Sequence, residues 1–361
     1  MNKRIKTVVF TGGGTAGHVF PAFSVIDRLQ MAGYKVFWIG SNRGIEKKLV
    51  GQANICYYGV PSGKFRRYVS LSNVTDLFRI IVGFFAARRI LRRERPMLMF
   101  SKGGFVSVPP VAAARSLGIL TFTHESDVSP GLATRLNIKF GARVLLSYEK
   151  TRNYLKKASN RSAMVVGNPV RDSIFSGRVA QGREIAGLKG QDKRALVLVL
   201  GGSSGSRELN ALIDDILDSI LPKAAVVHQR GQGNAGREDI SGYISRPFFD
   251  EELPHLLAAA DLAVARSGAG VVWELAATRT PAIFIPLREG SRGDQVLNAQ
   301  MADEAGMSVT LEKGADSKDL EWLISNLLSD VSRLREMAAA AAAYTTHRAT
   351  DCIFELLKEY L

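Results

Sequence analysis

The chain has little of what would place it among disulfide-held, metal-bound or membrane-spanning proteins. Only two cysteines, Cys56 and Cys352, occur in 361 residues. They lie far apart with no ligand spacing around them, so they indicate neither a disulfide framework nor a metal site. Reduced thiols in a reducing compartment are the plain reading. No Asp-x-Asp pair occurs. No apolar run reaches the roughly 18 residues that a spanning helix needs. The residues before the first apolar strand are too few for a signal-peptide core. Acidic residues are also short, at 34 Asp+Glu against 48 Lys+Arg, a net charge of +14. Such a surface attracts nucleic acid, anionic lipid or phosphorylated ligands. The length suggests two domains with ample core.

What is present is glycine at strand ends. In the second half, Leu262-Ala263-Val264-Ala265 reads as a buried strand, and a helix opens near Val271. Between them lies Arg266-Ser267-Gly268-Ala269-Gly270. Glycines let a phosphate approach the backbone, and the free N–H groups at a helix start point at it. Glu274 sits in the early turns of that helix, where a carboxylate can accept two sugar hydroxyls. The plainer reading is a helix start with a dipole-favoured acid.

The same construction recurs along the chain. Thr7-Val8-Val9-Phe10 is a strand, followed by Gly12-Gly13-Gly14-Thr15-Ala16-Gly17-His18 and a helix from about Pro21 to Ala32. Gly12, Gly14 and Gly17 fit the dinucleotide pattern G-x-G-x-x-G. The second strand, Val36 to Ile39, ends without the acidic residue that NAD requires, although Arg43 could serve NADP. Met97 to Phe100 leads into Ser101-Lys102-Gly103-Gly104-Phe105. Leu120 to Thr123 leads into His124-Glu125-Ser126-Asp127. Val165-Val166-Gly167-Asn168-Pro169-Val170-Arg171 suits a chain leaving one sheet for another. Then Ala195 to Leu200 is a strand, Gly201-Gly202-Ser203-Ser204-Gly205-Ser206 a third glycine turn, and Arg207 to Leu221 a helix. Further strands are expected at Ala225 to Gln229 and at Ala282 to Pro286, and Pro247 to Asp250 reads as a strand end. Ala-rich helices run from about Leu334 to the end. Alternating strands and helices imply parallel sheets, whose ligands sit at the C-terminal strand ends. Two doubly wound domains are expected, their edges facing a central cleft.

The segment from Gly63 to Pro96 differs. Leu77, Phe78, Ile81, Phe84 and Phe85 form an apolar cluster, and Arg88, Arg89, Arg92 and Arg93 follow. This is the composition of an interfacial helix, and equally of a core helix with a solvated basic end.

The ordered set of these motifs, with Glu274, Asp294-Gln295 and Asn298-Ala299, resembles the MurG family of peptidoglycan N-acetylglucosaminyltransferases. The resemblance covers almost the whole chain. It implies an α/β GT-B fold of two Rossmann-like domains: residues 1–168 for the acceptor and membrane, and 169–340 for UDP-GlcNAc. Residues 341–361 would form a helix packing back on the first domain. It implies inverting transfer of GlcNAc from UDP-GlcNAc to the MurNAc 4-hydroxyl of lipid I, giving lipid II, with no cofactor and no metal. In the donor domain Glu274 would bind ribose, Ser203, Ala269 and Gly270 the diphosphate, Phe249 and Arg171 the uracil, and Gln295 the GlcNAc hydroxyls. Thr15, Ala16, Gly17, Gly103 and Gly104 would face the acceptor diphosphate. The implied partners are lipid I, anionic lipids at the cytoplasmic membrane face and other cell-wall synthesis proteins, with no nucleic acid. Two departures stand out: Ala16 replaces a common glycine, and Ser126-Asp127 replaces a common Gln-Asn. An alanine tolerates positive φ poorly, so ordinary φ is expected at Ala16.

Inverting transfer needs a base for the acceptor hydroxyl, positive dipoles for the leaving UDP, and in-line substrates. His18, Glu125 and Asp127 are the base candidates, and histidine has the best-matched intrinsic pKa. Rival readings are another GT-B enzyme with a different lipid acceptor, a soluble UDP-GlcNAc epimerase, and an NADP oxidoreductase. A binder built on charge alone would leave three glycine turns unexplained.

Overall fold

The computed structural model describes residues 6–63, 71–202, 205–234, 236–237, 240–289, 293–345 and 348–361, and for 71–74 the backbone alone. Ser203 and the Lys64–Tyr68 part of the basic segment therefore lie outside the described residues. The chain forms two compact units, Met1–Pro169 with His347–Leu361, and Val170–Thr346.

The first unit runs β1 (Thr7–Thr11), α1 (Phe20–Met31), β2 (Lys35–Ser41), α2 (Ile45–Gln52), β3 (Cys56–Val60), α3 (Leu71–Glu94), β4 (Leu98–Ser101), α4 (Val108–Ser116), β5 (Leu120–Glu125), α5 (Leu132–Lys139), β6 (Arg143–Leu146), α6 (Lys157–Arg161) and β7 (Met164–Val165). Its sheet has the order β3-β2-β1-β4-β5-β6-β7, parallel throughout. Both faces are covered, so the strands read as continuous apolar runs. β1 sends Val8 and Phe10 into one core and Val9 into the other.

The second unit runs α7 (Val179–Ile185), β8 (Ala195–Leu200), α8 (Arg207–Ile220), β9 (Ala224–Gln229), β10 (Tyr243–Arg246), α9 (Leu253–Ala259), β11 (Leu262–Ala265), α10 (Ala269–Thr278), β12 (Ala282–Phe284), α11 (Asp294–Glu304), β13 (Ser308–Thr310), α12 (Ser317–Ser329) and α13 (Val331–Tyr344). Its parallel sheet has the order β10-β9-β8-β11-β12-β13. The two sheets repeat one topology: the strand order reverses between β1 and β4, and again between β8 and β11. Such a switch point opens a crevice at the C-terminal strand ends. The last helix, α14 (Ala349–Lys358), belongs to the first unit. Thr350 and Ser24 hydroxyls meet at 2.9 Å, Arg28 bonds Asp351 at 3.0 Å, and Ile353 and Leu357 join the α1 core.

Several local expectations need correction. The strand that ends before Pro247 to Asp250 is Tyr243–Arg246, and it stops there because Pro247 has no N–H to continue a ladder. Strands β3 and β13 and helix α12 were not among the expected elements, although α12 opens on an Asp316–Asp319 capping box and buries Leu320, Ile324 and Leu327. α3 buries one face and exposes the other. Ala87 and Leu91 are buried and Gly83 packs tightly on Pro61, while Leu77, Phe78, Ile81, Val82 and Phe85 are exposed. Phe84, expected among the outward residues, turns toward the core beside Ala87 and Leu91. Arg89 and Arg92 are exposed, Arg88 donates to Ser116 Oγ at 3.0 Å, and Arg93 binds Glu94 at 2.9 Å over the Tyr58 ring. Among the described residues no helix is long and apolar enough to cross a membrane.

Candidate active site

At the edge of the first unit the glycine turns after β1 and β4 press together. Gly104 has φ +76°, and a β-carbon there would stand 2.1 Å from Gly13 O. Only glycine permits that approach. The first turn is also held from below by Glu46, a fully buried carboxylate in the opening turn of α2. Gly14 N–H donates to it at 3.2 Å and Ser41 N–H at 3.0 Å, and the Ser41 hydroxyl bonds it as well. Thr15, Ala16 and Gly17 then run into a single 3-10 turn, Ala16–His18, at the N-terminus of α1. Ala16 keeps ordinary φ, as expected. His18 is half-buried, its Nδ1 lying 2.9 Å from Thr15 Oγ1. A β-carbon on Gly103 would lie 3.6 Å from the His18 ring, so the two turns and the imidazole share one spot.

Beside them stands a group that motif reading passed over. Lys102, the residue after β4, is buried at 1% exposure. Its Nζ donates to His124 Nδ1 at 2.8 Å, to Asn168 Oδ1 at 3.1 Å and to Ser126 Oγ. Burial pulls the Lys102 amine from 10.5 to about 7, against the attraction of Glu125 and Asp127. His124 Nε2 lies 2.8 Å from Gly167 O, which can only accept, so that nitrogen carries the proton and Nδ1 accepts. Burial, then the Lys102 charge, hold the His124 imidazole well below its usual range. With both nitrogens engaged, His124 is not available as a base.

The three base candidates separate. Glu125 is buried, and its oxygens accept Asp127 N–H at 3.1 Å and Gly131 N–H at 2.9 Å. Its carboxyl is pushed up by burial and then by Asp127. Its oxygens brace the loop that starts α5. Asp127 and His18 are half-buried and reach the surface.

At the edge of the second unit, Ser206 caps α8 by accepting Leu209 N–H at 3.2 Å. Arg266, after β11, is buried at 7% exposure. Its Nε donates to Ser206 Oγ at 2.9 Å, one terminal nitrogen to Ile285 O at 2.7 Å, and the other to Glu208 at 2.7 Å. Ser267 bonds Gln295 O at 2.8 Å and Asn298 bonds Ser267 O at 3.2 Å, which ties the start of α11 to this turn. Gly268 ends in extended backbone with no side-chain cap on α10, and β-carbons on Gly268 or Gly270 would meet nothing within 4 Å. Among the described residues, then, no side chain caps this helix start, where unpaired N–H groups suit an anion.

The donor-side side chains sit differently from the expectation. Arg171 bonds Glu274 at 3.3 Å and approaches Asp250 at 3.8 Å. Arg171 therefore neutralises and orients the Glu274 carboxylate rather than standing apart at a base. Burial raises the Glu274 carboxyl, opposed by Arg171. Phe249 is fully buried beneath the Arg246 guanidinium, so its ring offers no face to a uracil and only its backbone remains for that role. Gln295 is half-buried and its side-chain oxygen accepts Leu287 N–H at 2.8 Å. Lys102, Asn168, Glu46 and Arg266 were not singled out beforehand. Their one sequence signal is position, a polar or charged residue near a glycine, and such residues are common.

The likeness to known proteins extends over both units. Residues 8–146 match the glycosyltransferase family 28 N-terminal domain, and residues 196–353 its C-terminal domain. A protein of Clostridium novyi (strain NT) is 36% identical, over 98% of this chain and 98% of its own. One of Treponema pallidum (strain Nichols) is 41% identical, over 99% of this chain and 96% of its own. Each is named UDP-N-acetylglucosamine--N-acetylmuramyl-(pentapeptide) pyrophosphoryl-undecaprenol N-acetylglucosamine transferase. The crystal structure of MurG from Acinetobacter baumannii superposes with a TM-score of 0.76 at 26% identity, over 98% of this chain and 99% of that one. A UDP-GlcNAc 2-epimerase from Neisseria meningitidis, at 16% identity and a TM-score of 0.68, shares the fold alone. With motif order, paired sheets and full-length identity in agreement, the chain belongs to glycosyltransferase family 28 and, within it, to the MurG family.

Proposed function

We infer that this chain transfers GlcNAc from UDP-GlcNAc to the MurNAc 4-hydroxyl of lipid I, with inversion, to give lipid II. The observation that carries the inference is full-length identity of 36% and 41% to transferases named for that step. UDP-GlcNAc is then a substrate.

On this reading the second unit holds the donor. The amides at Ala269 and Gly270 and the positive end of α10 take the diphosphate, with Ser203 as a further contact. They stabilise the charge that grows on UDP as the glycosidic bond breaks. Glu274, oriented by Arg171, accepts ribose hydroxyls. The Phe249 backbone contacts the uracil, and Gln295 contacts the sugar. The first unit holds the acceptor, with the turns Thr15–Gly17 and Gly103–Gly104 facing its diphosphate. His18 takes the acceptor proton. If His18 Nδ1–H donates to Thr15 Oγ1, Nε2 carries the lone pair for that task. Asp127 is the second candidate, and Glu125 is third because backbone amides occupy it.

The acceptor is bilayer-anchored, so some surface must reach the membrane. Leu77, Phe78, Ile81 and Phe85 form an exposed stripe on α3, with Arg89 and Arg92 beyond it. This stripe is the proposed peripheral contact with the cytoplasmic face. Product analysis with UDP-GlcNAc and a lipid I analogue tests the function. A β-linked disaccharide on the lipid is expected, and free GlcNAc or an epimerised nucleotide sugar would overturn it.

A further inference from the structure

The two sheets place a buried cation at one equivalent position. Lys102 N–H bonds Thr11 O, at the end of β1, at 2.8 Å; Arg266 N–H bonds Leu200 O, at the end of β8, at 3.2 Å. Strand register continues this equivalence. Ser101 pairs with Thr123, which sets Lys102 opposite His124, and Ala265 pairs with Phe284, which sets Arg266 opposite Ile285. Each cation then donates across the sheet to the residue opposite, Lys102 to the His124 ring and Arg266 to the Ile285 carbonyl. In the second unit the position is filled by a group that never loses its charge. In the first it is filled by one that can.

An ammonium has three donors and no acceptor. Three acceptors surround Lys102 Nζ: His124 Nδ1, Ser126 Oγ and Asn168 Oδ1. Ser126 passes its own proton to Asn168 Oδ1 at 3.1 Å, so it can only accept from the lysine. Once neutral, the amine has two donors and one lone pair, so the Ser126 hydroxyl must turn from Asn168 to donate to it. The charge-assisted bonds to His124 and Asn168 then become weaker neutral ones. The three acceptors lie on different segments: the end of β5, the loop that bears Asp127, and Gly167-Asn168, where the first unit ends. The charged groups facing the amine are Glu125 and Asp127, with His124 beside it, and His18 lies next to the adjoining Gly103. From the β7 side only the neutral Asn168 faces it.

We propose that the Lys102 ammonium is a positioning residue for the glycosyl transfer, clamping the Asp127 loop and the Gly167–Asn168 exit against the Gly103–Gly104 turn, and that loss of its proton releases the clamp and slows turnover. This rests on the function inferred above. Burial already brings the amine to about 7, so release falls at the alkaline side of neutrality.

Lys102→Met keeps the stem and removes all three donors. Its kcat should fall by at least about tenfold, as expected for a small misplacement of reacting groups, with donor KM unchanged and the alkaline limb of the pH–rate profile gone. Lys102→Arg, permanently charged, should restore part of kcat and move the limb upward. Asn168→Ala removes one acceptor, so the limb should move to lower pH, and it decides the matter if Lys102→Met fails to fold. A readout independent of turnover is the imidazole 15N resonance of His124, one of five histidines. It should shift with a midpoint near 7 in the wild-type chain, without the ring itself gaining a proton, and the shift should vanish in Lys102→Met. A flat His124 resonance through neutrality, or an alkaline limb that stays in place in both Lys102→Met and Asn168→Ala, overturns the proposal. If the His124 shift is present but no GlcNAc is transferred, the clamp stands and the inferred function falls.

Discussion

Lys102 and Arg266 occupy the same place in two copies of one topology, and they are held in opposite chemical styles. Arg266 spreads its charge over a planar fork that meets a hydroxyl, a carbonyl and a carboxylate in fixed directions. Lys102 is a point charge whose protonation depends on its surroundings. The edge of the second unit offers a diphosphate a permanently charged guanidinium, Arg266, and a helix start with no side-chain cap. That suits the binding of a group whose charge must be met at any working pH. The edge of the first unit gathers ionisable side chains, namely His18, Lys102, Glu125 and Asp127. That suits proton transfer. The comparison teaches that duplicated scaffolds can divide a reaction by the charge character of equivalent residues.

Four outcomes would sharpen or break this division. The largest is expected on the proton-transfer side, where His18→Ala should lower kcat by about 10²–10⁴ if His18 is the base. Donor KM should hardly move. A kcat within a fewfold of wild type would pass the role to Asp127. On the binding side, Glu274→Ala should raise donor KM, each lost charge-assisted bond costing roughly 1.5–3 kcal/mol. Because Arg171 loses its partner, Arg171→Ala/Glu274→Ala should cost less than the two single changes together. Strict additivity would show that the pair does not act as one unit.

The third outcome compares the two cations through stability. In the unfolded chain the lysine amine keeps its proton up to its ordinary 10.5, but in the folded chain only to about 7. Between those values the unfolded state binds more protons, so stability contributed by this site rises with pH. Below the folded value both states are charged and burial of the ammonium opposes folding in full. Lys102→Met carries a fixed cost for its three abandoned acceptors, and should compare best with wild type in mildly acidic buffer. Relative to wild type it should then lose at most about 1.4 kcal/mol per pH unit as pH rises. Arg266→Met should instead lose about 1–3 kcal/mol at every pH, through its unpaired partners. Denaturant midpoints of both variants across that range check the contrast, and parallel pH slopes would erase it.

The smallest outcome concerns α3. Replacing Arg89 and Arg92 with Ser should weaken binding to anionic vesicles by about 1 kcal/mol per residue, less at high salt. Replacing Phe78 and Phe85 with Ser should weaken binding regardless of salt. Equal sedimentation of all variants with vesicles would move the membrane contact elsewhere.

Much of the strand-and-turn framework was legible because its signals are local. A buried parallel strand is a short apolar run, and a turn that must approach a neighbouring backbone needs glycine. Strands β1, β4, β5, β8 and β11 and their turns were read on that basis, and so were His18 and Glu274. Short edge strands such as β13 have too few residues to set a period. The burial of the Phe249 ring was not legible for a related reason. An aromatic at a strand end reads alike whether it faces a ligand or a core, and the Arg246 guanidinium above it decided the matter.

By itself, then, the order of residues determined the alternation of strand, glycine turn and helix, the two-sheet class and the family, because each rests on spacing along the chain. The tertiary structure decided which residues meet across the strands. Register set Lys102 opposite His124 and Arg266 opposite Ile285. Long-range contacts returned α14 to α1, joined Arg171 to Glu274 across 103 residues, and turned Phe84 inward while Phe85 stayed outside. The physical reason is that burial and partner choice depend on neighbours supplied by other strands. A lysine with a lowered proton affinity exists only where segments distant in the chain bury it.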